Sequence, residues 1–154
     1  MIKILISLVV IPFLLLPVKS YAEVAETQIN GGLINASTEF LRDLDYETWQ
    51  LVAYQSPIND EKLVLRVIGY PGNLRIDHPL NLNVESGRKK WSLDDKTLSN
   101  EQLANDERQA AAEFDLDKLI KDISQNRPLR LSLPGVFSEL PVPPFLVKEW
   151  RSID

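Results

Sequence analysis

From residue 48 onward, short runs of alternating apolar and polar residues recur, each closed by a turn signal. A helix repeats every 3.6 residues and a strand every two, so this pattern leaves little open besides a β fold. Trp49, Leu51 and Ala53 alternate with Gln50, Val52 and Tyr54, and Ser56-Pro57-Ile58-Asn59-Asp60 breaks the run. Residues 63–68 are almost all apolar, which predicts a central strand. Tyr70-Pro71-Gly72-Asn73 is a turn. Leu80, Leu82 and Val84 alternate with Asn81 and Asn83, the pattern of a strand with one wet face. Ser86-Gly87 turns the chain, and residues 90–93 return with Trp91 and Leu93 on one side. Two adjacent hairpins follow. Leu129, Leu131 and Leu133 alternate with Arg130 and Ser132 before the Pro134-Gly135 turn. Leu140-Pro141-Val142-Pro143-Pro144 is extended, and prolines without N–H groups place it at a sheet edge.

Between these runs the period changes. Leu116, Leu119, Ile120 and Ile123 fall at helical spacing, with Asp115 placed to cap them. Ser99 and Gln102 match a capping box, and Leu103, Ala110, Ala111 and Phe114 share one helical face. The reading is one helical insertion over residues 99–126. Loops this short make the strands mostly antiparallel. The expected fold is mainly β: an antiparallel β-sandwich or open barrel of six to seven short strands with one helical insertion, forming a single β-rich domain over residues 38–154.

The N-terminus reads as an address. Lys3 precedes an uncharged, largely apolar stretch over residues 4–18, and Ser20-Tyr21-Ala22 suits a signal peptidase. The stretch is shorter than the about 20 residues of a membrane-spanning helix. Residues 1–22 are therefore expected to be a cleaved secretory signal peptide, and residues 23–37, small and polar, a flexible leader. No later run reaches spanning length, so no transmembrane segment is expected in the mature chain. Cleavage would remove Lys3, Lys19 and no acid, taking the net charge from −5 to −7. Such a surface repels phosphate backbones, so nucleic acid is not an expected partner. The chain has no cysteine, which excludes disulfides, thiol chemistry and thiolate metal sites.

Several stretches together resemble a known family: Leu63-Val64-Leu65-Arg66-Val67-Ile68-Gly69-Tyr70-Pro71-Gly72, Arg75-Ile76-Asp77-His78-Pro79, Gly87-Arg88-Lys89-Lys90-Trp91, Glu113-Phe114-Asp115-Leu116, Pro128-Leu129-Arg130-Leu131, and Leu140-Pro141-Val142-Pro143-Pro144 running into Glu149-Trp150-Arg151. The set is similar to an uncharacterised family of small exported cyanobacterial proteins, a domain of unknown function. The resemblance implies an oxygenic phototroph and an extracytoplasmic location, periplasm or thylakoid lumen. It carries over no activity and no functional residue.

Candidate chemistry is sparse. His78 is the single histidine, so any Ser-His-Asp arrangement must use it, and Asp77 beside it makes a candidate polar site. Asp43, Asp45 and Glu47 alternate as calcium ligands do, but Thr48 stands where an EF-hand needs glycine, and a solvated turn is the reading here and at Asp94-Asp95. Arg88-Lys89-Lys90-Trp91 fits a hairpin with its cations outward. Residues 101–122 hold seven acids against three bases, which makes Asp106, Glu107 and Asp122 a candidate partner surface. The expected function is a non-catalytic extracytoplasmic interaction or assembly module, associated with photosynthetic membranes, with a protein partner at or near a membrane and no cofactor or metal. The alternative is a small-ligand or lipid-binding β-sandwich with Trp49, Trp91, Tyr54 and Phe145 lining a cavity. A small hydrolase using His78 or a carboxylate pair ranks third.

Overall fold

A computed structural model describes residues 24–29, 32–58, 62–69, 76–105 and 110–153. The expected signal peptide lies outside these residues. Two antiparallel sheets pack face to face. The first is ordered β1 (Ala25–Ile29), β2 (Gly32–Arg42), β3 (Thr48–Gln55), β4 (Leu63–Ile68), β7 (Ala111–Asp115). The second is ordered β6 (Lys89–Leu93), β5 (Leu82–Ser86), β8 (Leu129–Leu133), β9 (Phe137–Val142). Neither sheet closes on itself, and the mainly β, sandwich-like expectation holds. Three short α-helices, α1 (Glu101–Asn105), α2 (Asp117–Asp122) and α3 (Pro144–Trp150), and one 3-10 turn at Thr97–Ser99 complete the described elements.

The alternating runs form the strands they predict. Leu51, Ala53, Leu65 and Val67 bury their side chains against Leu82, Val84, Leu131 and Leu140 of the facing sheet. Burying a side chain of this size contributes about 1.5–3 kcal/mol, so this inter-sheet layer dominates the stability. The β5–β6 and β8–β9 turns use glycine in the left-handed region, Gly87 at φ 60° and Gly135 at φ 76°. The sheet edge expected for residues 140–144 is taken by β9, whose one proline is Pro141, but the extended run stops at Val142 and Pro144 instead opens α3, where a missing N–H costs nothing in the first turn.

Three expectations need correction. Much of the predicted flexible leader is structure: Ala25 pairs with Ala36 and Ile29 with Gly32 in the β1–β2 hairpin. Its strands carry no clean alternation because much of their surface stays exposed. The single helical insertion divides into α1, β7 and α2. β7 reads Ala-Ala-Glu-Phe-Asp and is buried on both faces, so no alternation marks it as a strand. Leu116, Leu119 and Ile123 do bury as the helical stripe predicts, with Ile120 partly buried. The count is nine strands among the described residues, the additions being β1, β2 and β7.

Candidate functional site

The structure pairs His78 with Asp95, not with its neighbour Asp77. Asp77 is exposed, whereas His78 Nδ1 lies 2.6 Å from Asp95 Oδ2. Asp95 is a hub of hydrogen bonds and not the solvated turn residue that the sequence predicts. Its carboxylate also accepts the Leu80 N–H at 2.9 Å, the Thr97 N–H at 2.9 Å and the Thr97 hydroxyl at 2.5 Å. Burial alone would raise the Asp95 pKa, but the hydrogen bonds from Thr97, His78 and Leu80 outweigh it and hold the carboxyl below its ordinary value. These contacts clamp the approach to β5 against the connection leaving β6. The nearby Thr97 hydroxyl accepts the Glu113 N–H at 2.9 Å, so it too is committed to the fold.

A second polar cluster lies on the outer face of the five-stranded sheet. β4 and β7 set Arg66 opposite Glu113. The Glu113 side chain is fully buried and receives Arg66 Nε at 2.9 Å and Nη2 at 2.6 Å. The Tyr54 hydroxyl donates to the same carboxylate and accepts from Arg66 Nη2 at 2.8 Å. Asn100 Nδ2 spans both carboxylate oxygens at 3.2 Å. The Asn100 Oδ1 atom in turn accepts the Gln102 and Leu103 N–H groups. Asn100 thus caps α1, replacing Ser99 of the expected capping box. Burial and the Glu113 charge push the Tyr54 hydroxyl far above its ordinary pKa, with Arg66 opposing. The cluster fastens α1 to the sheet, and nothing in the local sequence marks it, because its members lie 12 to 59 residues apart.

The third arrangement is the β2–β3 turn, residues 43–47. Asp43 is buried. Its Oδ1 accepts the Asp45 and Glu47 N–H groups, each at 2.9 Å, and its Oδ2 accepts Trp49 Nε1 at 2.8 Å. Both oxygens therefore organise the turn, so the solvated turn expected here holds for exposed Asp45 and Glu47 but not for Asp43. Tyr46 adopts φ 65°, unusual for a residue with a side chain. The turn holds Leu44 59% and Tyr46 80% exposed. It is pinned at both ends: the Leu44 N–H donates to the Glu139 carbonyl at 3.2 Å, and the Trp49 ring packs on Phe137 with centroids 5.0 Å apart. Beside it opens a groove of about 350 Å³, lined by Asp45, Ser132, Pro134, Gly135, Val136, Phe137 and Ser138. Phe137 thus both lines the groove and packs on the Trp49 ring at the end of the turn.

Of the acidic partner surface, Asp106 and Glu107 lie outside the described residues. Asp122 is exposed at the end of α2 and accepts Trp91 Nε1 at 3.1 Å. The basic hairpin turns its cations outward as expected, with Lys90 paired to Glu85 at 2.6 Å. The four aromatics proposed to line a cavity do not meet. Trp49 packs between the sheets, and Tyr54 belongs to the outer-face cluster. Trp91 is partly buried on an edge strand, and Phe145 is 38% exposed. Among the described residues no three His, Asp or Glu side chains converge as metal ligands, and no helix is long and apolar enough to cross a membrane.

The family described as a protein of unknown function (DUF3122) matches residues 22–153. No curated protein and no solved structure matches the chain.

Proposed function

The chain belongs to the DUF3122 family, and from the geometry above we propose that it is a non-catalytic interaction module working outside the cytoplasm. The observation that carries this reading is the residue 43–47 turn. A buried aspartate holds it rigid while it presents Leu44 and Tyr46 to solvent. Exposing large apolar side chains on a constrained turn costs solubility, and contact surfaces are where such groups concentrate. The ionisable clusters support the same reading, since Asp95 and Glu113 serve internal bonds. The apolar stretch over residues 4–18 followed by Ser20-Tyr21-Ala22 supports export, and the resemblance to exported cyanobacterial proteins supports periplasm or thylakoid lumen as the compartment. Small-ligand binding is the second reading, favoured by a groove volume within the range of ligand sites.

Site-specific photo-crosslinking tests the proposal. A photoreactive phenylalanine at position 46 should form adducts with a partner in native membranes, and the same group at exposed Lys118 should not. Equal adducts from both positions, or none from position 46, would refute it. N-terminal sequencing of the native protein should begin at Glu23.

A further inference from the structure

Resting on the interaction reading, we infer that the groove beside the residue 43–47 turn takes a basic side chain from an extended partner segment, with apolar neighbours of that side chain packing on Leu44 and Tyr46. The groove and the two exposed side chains supply the contact, and the charge pattern selects the occupant. Asp45 lines the groove, and no cation is among its lining residues. Glu47 follows on the same turn and is exposed. Half-buried Glu139 is tied to the turn through its carbonyl, which accepts the Leu44 N–H. Arg42 is the one cation within residues 42–47, against three carboxylates, of which Asp43 is buried and committed to the turn.

The lining suits a long side chain with an apolar stem. Val136, Phe137 and Pro134 can cover a lysine or arginine stem while its head reaches Asp45 at the rim. A turn tipped with Leu and Tyr could equally dip into a lipid surface, but Asp45 and Glu47 flank those tips and oppose an anionic one. The charges favour a protein segment.

Two peptides provide the probes, acetyl-Gly-Leu-Lys-Leu-Gly-amide and its counterpart with glutamate at the centre. Amide shifts of the full 15N-labelled chain are followed as each is added. The lysine peptide should shift amides at residues 44–47 and 135–138 and bind at least about fivefold more tightly than the glutamate peptide. Asp45→Lys should remove or invert that preference. Tyr46→Ser should weaken the lysine peptide severalfold without altering the shifts of β5 or β8. Raising the salt to about 0.5 M should also weaken it, since exposed charges are then screened over a few ångströms. Equal binding of the two peptides, shifts confined to another surface, or turn-dependent binding of anionic vesicles would overturn the inference. Equal binding alongside Tyr46 crosslinking would discard charge selection and leave the interaction reading standing. A lysine preference without any crosslink would uphold the groove and discard that reading.

Discussion

Removing the Glu113 carboxylate should be among the most damaging single changes this fold can suffer. The side chain is fully buried and anchors Arg66 through two nitrogens, Tyr54 through its hydroxyl and Asn100 through its amide. Glu113→Ala leaves Arg66, itself only 13% exposed in its side chain, without the carboxylate opposite it. Breaking one partner of a buried ion pair costs about 3–5 kcal/mol. Total stability for a domain of this size is about 5–15 kcal/mol, so the variant should fold but marginally. With a urea dependence of about 2 kcal/mol per molar, the midpoint should fall by about 1.5–2.5 M. Glu113→Gln keeps the shape and loses the charge, and should cost about 1–2 kcal/mol, the difference between charged and neutral hydrogen bonds. The double variant Arg66→Met with Glu113→Leu removes both charges together, and should recover most of the loss. Urea titrations followed by circular dichroism and tryptophan fluorescence measure all three. A loss below about 1 kcal/mol for Glu113→Ala, or a double variant as unstable as the two single losses added, would refute the argument.

Other expectations follow from the same contacts. A Cβ on Gly69 would sit 2.7 Å from Trp49 Cζ3 and 3.3 Å from the Ala110 Cβ, so Gly69→Ala should cost about 1–3 kcal/mol and show as a lower melting temperature. Tyr54 has its pKa raised by folding, so its contribution is complete below the unfolded value of about 10 and is lost as pH climbs above it. Tyr54→Phe should flatten that alkaline decline in a stability profile. Asp95 has its pKa lowered by folding, so its contribution is present above about pH 4 and disappears as pH falls through the folded value. Asp95→Asn should be less stable at neutral pH but lose less on acidification, read by denaturant titration at each pH.

What local sequence determined here is whatever local burial imprints on it. β3, β5 and β8 each have one face turned to the inter-sheet core, and their alternation at Trp49-Leu51-Ala53, Leu82-Val84 and Leu129-Leu131-Leu133 announces them. Gly87 and Gly135 mark their turns because both adopt positive φ, where a Cβ is disfavoured. Pro141 suits β9 to an edge because it cannot donate to a ladder. β7 escaped notice because it is covered on both faces, and its alanines and glutamate favour a helix until the sheet overrides them. Asp43, Asp95 and Glu113 were equally hidden. An acidic residue near a turn has the same local signature whether it faces water or a set of N–H groups. Only the packed chain brings Asp95 to His78 across 17 positions and Glu113 to Tyr54 across 59, and that proximity turns ordinary surface letters into the polar anchors of the fold. The candidate surface has the same origin. Asp45 lies on the β2–β3 turn of one sheet and Phe137 on β9 of the other, and they define a groove only once β9 packs beside the end of β2.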